Sequence, residues 1–188
     1  MSCLVYYEPS GKITGFVSGS NEFLQTAADE YEGLTLLSDI SPEENHYVKD
    51  GALADRGQKP GNAYEFNFDS EQWELSLEIA QTIKWVQIKQ DRDAEEFGTF
   101  EWGGYAFQCD EVSQRRIQGA VQLAAIDASM SLDWTLADNS VQTFTAADYV
   151  QIGQALANHV SGCHERGRIL RQQIESATTE TELEAIVW

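Results

Sequence analysis

The first sixty residues alternate short apolar runs with turn residues, which is the pattern of small β-strands. Residues 4–7 form an apolar run, Pro9 and Gly11 favour a tight turn, and residues 13–17 alternate apolar with small or polar side chains. Residues 34–37 and 46–48 are also strand-like, and Asp50-Gly51 is typical of a two-residue hairpin turn. We therefore predict a small antiparallel β domain over residues 1–60.

Residues 57–61 contain two glycines and a proline and have the composition of a linker. After them, Asp69 with Gln72 resembles a helical capping box. Residues 73–79 also alternate as a strand would. We favour a helix because the periodic segment continues to Glu96, which is too long for one strand. Four apolar residues would then share one helical face: Leu75, Ile79, Ile83 and Val86.

Two further hairpins are predicted in the second part of the chain. Residues 99–107 place aromatic side chains on both arms of a Gly103-Gly104 turn. Residues 132–144 contain two apolar arms that meet at a polar turn over residues 138–140.

Helix-start signals divide the rest of this part. Asp110 caps a helix that contains Ile117, Val121 and Ala124 or Ala125. Thr145 with Asp148, and Thr179 with Glu182, are capping boxes that open the longest helix and a last short one. The longest helix has an apolar stripe whose spacing also permits pairing across subunits as a homo-oligomer: Tyr149, Ile152, Leu156, His159 or Val160, Cys163 and Leu170.

The fold class predicted from these elements is α+β. It comprises a small antiparallel β domain over residues 1–60 and a mostly helical domain over residues 61–188. The two hairpins near residues 99–107 and 132–144 belong to the helical domain.

Acidic charge limits the classes of partner. The chain has 31 acidic and 12 basic residues, a net charge of −19. Because nucleic-acid binding depends on Lys and Arg, we expect no nucleic-acid partner. No apolar run approaches the roughly 20 residues that cross a bilayer, and no secretory leader is present, so we expect no membrane insertion and no export. Cys3, Cys109 and Cys163 then fit reduced thiols in a cytosolic compartment.

Residues able to perform chemistry are few. His159 and Cys163 lie one helical turn apart, beside His164, and could reach one ion. No second Cys/His pair supplies a third ligand, so we favour packing in a core or a subunit contact. The acidic residues 91–96 lack the glycine-turned loop of a hard-cation site and favour a solvated helix end. With no nucleophile-elbow, zinc-helix or phosphate-loop motif, we predict no catalytic residues, metal, cofactor or enzymatic activity.

Aromatic side chains favour protein contacts. Most of the five tryptophans fall at patterned positions, which favours core anchoring, but tryptophan is also enriched at the centres of protein interfaces. The candidate partner-binding residues combine the start of the helix stripe, the hairpin aromatics and the last residue: Tyr149, Ile152, Leu156, Trp102, Tyr105, Trp134 and Trp188.

Both parts of the chain resemble bacteriophage tail proteins. Residues 4–7, 11–13 and 46–53, with the run Tyr47-Val48-Lys49-Asp50-Gly51, resemble the β-rich start of chaperone-like tail fibre assembly proteins. The second part resembles an uncharacterised helical domain of phage tail proteins. The residues behind this second resemblance are Arg92-Asp93, Gly104, Phe107, Asp110, Ser113-Gln114, Arg116-Ile117 and residues 134–139. The resemblance implies a tail context and protein–protein work, and it implies no catalytic residues.

The sequence supports three functional hypotheses. The first is a non-enzymatic tail protein that binds a tail fibre, baseplate or tail-tip subunit and supports its folding, assembly or attachment in the host cytoplasm. The second is a permanent structural or receptor-binding component of the virion tail. The third is a small enzyme that acts on host envelope material through acidic residues such as Asp91 and Asp93.

Overall fold

Eleven strands and five helices alternate along residues 2–188, the residues that the computed structural model describes. The predicted α+β class is confirmed: small antiparallel sheets occupy the N-terminal part and helices dominate the C-terminal part. The chain divides into two compact units between Ala80 and Gln81. The predicted boundary after residue 60 differs from this division, because two strands between residues 64 and 75 group with the first unit. No helix within residues 2–188 has the length and apolarity that crossing a bilayer requires.

A three-stranded antiparallel sheet forms the centre of the first unit. β1 (Cys3–Tyr7) lies between β2 (Ile13–Ser18) and β3 (Leu34–Ser38). Successive side chains of a strand point to opposite faces, and Leu4 and Val5 are both fully buried. Both faces of β1 are therefore covered, and Val5 packs in a cluster with Val48.

The first unit also contains a helix that the sequence pattern did not predict, α1 (Asn21–Glu30). Ser20 caps it, since the Ser20 hydroxyl accepts a hydrogen bond from the Phe23 backbone N–H at 3.3 Å. Leu24 is the one fully buried side chain of the helix. A single buried position produces no helical periodicity, which is why this segment was missed.

Two separate hairpins complete the first unit. β4 (His46–Lys49) pairs with β5 (Ala52–Asp55) through the predicted Asp50-Gly51 turn, whose φ angles of 50° and 74° fit a type I′ turn. β6 (Tyr64–Asn67) pairs with β7 (Gln72–Leu75).

The prediction of a helix start at Asp69 was wrong, because this residue lies in the turn of the β6–β7 hairpin. The Asn67 side-chain oxygen accepts hydrogen bonds from the backbone N–H groups of Asp69 and Ser70 at 2.9 and 3.2 Å. Glu71 then adopts a left-handed φ of 57°, and the chain returns as a strand. The chain therefore forms an Asx turn at Asn67 and not the predicted capping box of Asp69 and Gln72.

α2 (Leu77–Glu96) is the first long helix, and its predicted apolar face is not its buried face. Ile83 and Val86 are 45% and 44% exposed. The buried residues of α2 are Ile88 and Glu96. Polar side chains add contacts: the Gln81 side chain, for example, donates a hydrogen bond to the Ala177 carbonyl at 3.1 Å. The spacing of apolar residues did not predict the buried face of α2, because hydrogen bonds of polar side chains also hold this helix in place.

The second unit has the predicted order of hairpins and helices. Its elements are β8 (Thr99–Trp102), β9 (Tyr105–Gln108), α3 (Glu111–Ile126), β10 (Ser131–Thr135), β11 (Val141–Thr145), α4 (Ala146–Ser176) and α5 (Glu180–Ala185). The Gly103-Gly104 turn has the positive φ angles, 61° and 81°, that such a hairpin requires. One hydrophobic core joins both hairpins to α3 and α4.

The three predicted helix starts are confirmed. The Asp110 carboxylate accepts from the Val112 and Ser113 backbone N–H groups, and full capping boxes open α4 at Thr145 and α5 at Thr179. Each box satisfies two backbone donors that the helix itself leaves free.

Replacing Asp110 by asparagine is expected to reduce the loss of stability in acid. Hydrogen bonds from the Ser113 hydroxyl, at 2.6 Å, and from the Ser113 backbone N–H lower the pKa of Asp110 from its ordinary 3.8. The carboxylate therefore contributes its full stability above the ordinary pKa of 3.8, and this contribution is lost as the pH falls from there through the lowered pKa of the folded state. Asparagine also caps helices but does not titrate. Urea midpoints measured against pH test this expectation, which equal acid slopes for the two proteins would contradict.

Candidate functional site

A groove of about 1000 Å³ lies within the first unit, and we call it the hairpin groove. Its walls come from the start of β2, the segments that flank the β4–β5 hairpin, and the β6–β7 hairpin. Its charged and aromatic lining comprises Lys12, Glu43, Glu44, His46, Asp55, Arg56, Lys59, Tyr64, Glu65, Phe66, Phe68 and Trp73.

Aromatic rings form the apolar part of the hairpin groove. Phe66 and Trp73 face each other across the β6–β7 ladder, and their ring centroids are 5.4 Å apart in an edge-to-face arrangement. Phe66 also lies 5.2 Å from Phe68 and 5.1 Å from Tyr47. Such pairs prefer tilted or edge-to-face geometry, so the cluster holds its rings in fixed orientations.

Arg56 lies over these rings and provides a hydrogen-bond donor. Its guanidinium carbon is 5.7 Å from the Phe66 centroid and 5.8 Å from the Trp73 centroid, which is cation–π distance. One guanidinium nitrogen donates to the Glu44 carbonyl, and the Trp73 indole N–H donates to the Arg56 carbonyl at 2.9 Å. The Arg56 Nε–H is buried and has no acceptor within residues 2–188. A buried donor without a partner is costly to the folded unit.

The charges around the groove are mixed. Lys12, Arg56 and Lys59 line it, and these are three of the four basic residues that precede Ala80. The Lys59 ammonium lies 5.8 Å from the Trp73 centroid. Four carboxylates also line the groove: Glu43, Glu44, Asp55 and Glu65. The aromatic rings, the cations and the carboxylates of the groove together suit a peptide segment. A peptide offers apolar side chains to the rings, carbonyl acceptors to the cations and N–H donors to the carboxylates.

Three of the predicted partner-binding residues lie inside the second unit's core. Tyr149 and Ile152 are fully buried, and Leu156 is 4% exposed. The side of α4 that contains them packs against α3 and the two hairpins. The expectation that this apolar stripe is open to a partner is therefore corrected: the chain covers it with its own elements.

The hairpin aromatics Trp102, Tyr105 and Trp134 are partly buried and pack against the same core. Phe144 shows the arrangement, since its ring lies 5.9 Å from Trp102 and 5.6 Å from Tyr105 in edge-to-face contacts. These residues have the core-anchoring role that the sequence pattern favoured.

Trp188 contacts its own chain. Its indole N–H donates to the Glu95 carboxylate, and the Arg166 guanidinium lies 4.7 Å from the ring centroid. Arg166 and Glu95 are themselves 3.7 Å apart. The side chain chosen as a docking residue is thus half-buried in a contact with α2 and α4.

The His159 and His164 side chains contact separate partners, and Cys163 is buried. His159 Nε2 lies 3.1 Å from the Glu95 carbonyl oxygen, and His164 Nε2 lies 3.2 Å from a Glu96 carboxylate oxygen. Within residues 2–188, no three His, Cys, Asp or Glu side chains are placed to hold one metal ion. Glu96 is buried at 8% exposure, so the prediction that residues 91–96 are a solvated helix end is wrong at this residue.

The three cysteines are free and buried. Burial raises the pKa of the Cys109 thiol to about 11, and burial also raises the pKa of Cys163. The thiolate is the reactive form, so Cys109 and Cys163 are inert thiols near neutral pH.

Sequence reasoning did not find the hairpin groove. Arg56 and Lys59 fall in or beside the predicted linker, and Trp73 fell in the predicted helix. The available signal was the alternation of Tyr64, Phe66 and Phe68 with polar residues, which is the pattern of a strand with one apolar face.

The second unit matches a known protein family. Residues 79–187 match a family model described as Domain of unknown function (DUF4376), which is more than half of the chain. The chain belongs to this family. No curated protein and no solved structure matches the chain significantly. The DUF4376 region begins beside the division between Ala80 and Gln81, so the hairpin groove lies outside it.

Proposed function

We propose that the chain is a non-enzymatic bacteriophage tail protein that binds a tail fibre or tail-tip subunit and supports its folding, assembly or attachment. Two resemblances support the phage context: the first unit to tail fibre assembly proteins, and the second part to a domain of phage tail proteins. The observation that supports a binding role is the hairpin groove, whose lining combines the aromatic rings with the cations Lys12, Arg56 and Lys59.

The aromatic rings and the arginine of the groove are the groups that we expect to contact the partner. The clustered rings of Phe66, Phe68 and Trp73 offer apolar surface to a side chain of the partner. Arg56 lines the groove and brings a positive charge to it, which suits a carbonyl or carboxylate of the partner. Aromatic and arginine side chains contribute most often to the binding energy of protein interfaces, which agrees with this composition.

A charge-matched pair of variants tests the groove. Lys59→Glu places a carboxylate beside Trp73 and Arg56, where it competes with the partner's acceptor. Lys49→Glu makes the same charge change on the β4–β5 hairpin, where Lys49 pairs with Glu71 outside the hairpin groove. We expect Lys59→Glu to weaken binding of the purified fibre or tail-tip subunit by about tenfold, as for an interface hot spot, and Lys49→Glu to have little effect.

Affinity purification from infected cells, with biolayer interferometry on the recovered tail subunit, provides the measurement. Recovery of no tail component would contradict the proposal. Equal binding by both variants would contradict the groove as the contact site.

Counting copies of the protein in purified virions by mass spectrometry separates the assembly factor from a permanent tail component. A trace amount per particle supports an assembly factor that acts in the host cytoplasm. A stoichiometric amount supports the second hypothesis, a structural or receptor-binding part of the tail.

A further inference from the structure

One face of the second unit is free of charged residues. Residues 117–126 of α3 and residues 149–163 of α4 contain no Asp, Glu, Lys or Arg, although 23% of the chain is charged. Part of the α4 segment is the buried stripe, but both segments also present exposed side chains. Gln118 and Gln122 are exposed on α3, as are Val150, Gln154 and Ala157 on α4. We call these exposed residues the uncharged face.

The uncharged face is grooved and partly apolar. A groove of about 630 Å³ runs between the two helices and is lined by these glutamines together with Val121, Gly153 and Ala157. Val150 is 52% exposed and, at the end of α3, Ile126 is 85% exposed. At Gly153 the helices approach so closely that an added Cβ would lie 2.5 Å from Val121 Cγ2. Gly153 thus lets α3 and α4 pack closely, and the groove beside this contact is the space open to side chains of another molecule.

The charge distribution favours a second copy of this chain as the occupant. Each copy has a net charge of −19, so two copies repel one another wherever carboxylates meet. The uncharged face is a surface on which they can approach without that repulsion, and the cores of protein interfaces are typically depleted of charge. A basic partner, in contrast, would find no carboxylate to pair with on this surface.

The ends of the face also match a second copy. Arg115 lies one turn before Gln118 on the same line of α3, and Asp127 directly follows the end of that helix. In a twofold dimer with antiparallel helices, Arg115 of one copy lies towards Asp127 of the other. A twofold axis brings the same patch of both subunits together, so each match occurs twice.

We propose that the protein forms a twofold homodimer in which the uncharged faces of α3 and α4 pack against each other as a four-helix arrangement. This proposal does not depend on the tail-protein function.

Sedimentation of the full chain against concentration tests the dimer. We expect a monomer–dimer equilibrium that tightens as salt rises, because salt screens the repulsion between two chains of −19. A monomer at every concentration and salt level would overturn the proposal. A dimer that dissociates as salt rises would also overturn it, because charge pairs would then hold it together.

Gln154→Glu locates the interface, since twofold symmetry places two new carboxylates in one contact. We expect it to raise the dimer dissociation constant about tenfold or more, as like charges do across an interface. Gln172→Glu makes the same change at an exposed position of the same helix, beyond the uncharged face, and is expected to leave the constant unchanged. Both variants should keep the wild-type circular dichroism spectrum. Equal effects of the two variants would overturn the assignment of the face.

Discussion

Replacing Phe107 by alanine is expected to destabilise the second unit by about 3–5 kcal/mol, the usual cost of removing a buried phenylalanine ring. Phe107 is fully buried in β9. Its ring stacks on Phe100 with centroids 5.2 Å apart and lies 5.4 Å from Phe144 and 6.3 Å from Trp134. The ring therefore connects the two hairpins, and its removal leaves a cavity that neither hairpin can fill alone. Urea unfolding monitored by far-ultraviolet circular dichroism measures the loss.

Val141→Ala is the control for this substitution. Val141 lies in β11 of the second hairpin but is 63% exposed, so its truncation is expected to change stability by no more than about 0.5 kcal/mol. A loss below about 1 kcal/mol for Phe107→Ala would contradict the central position of the ring, because buried phenylalanine truncations cost several times more.

The second unit was largely predictable because its signals are local. The Asp110 cap, the Thr145 capping box and the Gly103-Gly104 turn each depend on residues within four positions of one another. The free backbone N–H groups at these helix starts are paired by side chains close by in sequence. Positive φ angles at tight turns are adopted most readily by glycine, which is visible in the sequence. Capping residues and paired glycines therefore predict helix starts and tight turns without knowledge of any tertiary contact.

The first unit was less predictable because its signals conflict. Around Asn67, side-chain oxygens can either cap a helix or close an Asx turn, and the sequence pattern of residues 69–79 fits both. The choice is made by the partner strand, where Phe66 meets Trp73. α1 was missed for the opposite reason, since a single buried residue, Leu24, leaves almost no pattern to read.

The candidate site could not be predicted because it depends on which surfaces the chain covers. The stripe through Tyr149 and Ile152 has the spacing of a helix contact, and spacing does not say whether the contact lies within the chain or with a partner. The hairpin groove gathers Lys12, Arg56 and Trp73 from three separate segments. Only the folded unit places them together.

Several residues behind the resemblance of the second part hold the fold. The Ser113 hydroxyl donates to Asp110, and the Gln114 side chain donates to the Cys109 carbonyl at 2.9 Å. The Asp138 carboxylate accepts from the Ser140 backbone N–H at 2.9 Å in the turn of the second hairpin. Such contacts explain a shared scaffold without specifying a partner. The proposed partner site accordingly lies in the first unit, outside the DUF4376 region.

Two glycines of α4 are expected to respond in opposite directions to replacement by alanine. At Gly153 an added Cβ would lie 2.5 Å from Val121 Cγ2, and the β-branched Val121 side chain has few rotamers with which to move away. α3 and α4 must therefore separate, and we expect a loss of about 1–3 kcal/mol, as for other overpacked contacts. At Gly162 no atom within residues 2–188, apart from the chain neighbours and the adjacent helix backbone, lies within 4 Å of an added Cβ. Alanine there should gain about 0.5–1 kcal/mol from helix propensity.

A double-mutant cycle identifies the cause of the Gly153 effect. Shortening Val121 to alanine removes Cγ2, the one atom within 3 Å of the new Cβ, so Gly153→Ala should cost less in that background. Urea midpoints of the four proteins in the cycle, with Gly162→Ala beside them, provide the measurement. If both glycine substitutions stabilise the protein equally, the two helices are not in close contact at Gly153. An equal cost of Gly153→Ala in both backgrounds would mean that another group, and not Val121, limits their approach.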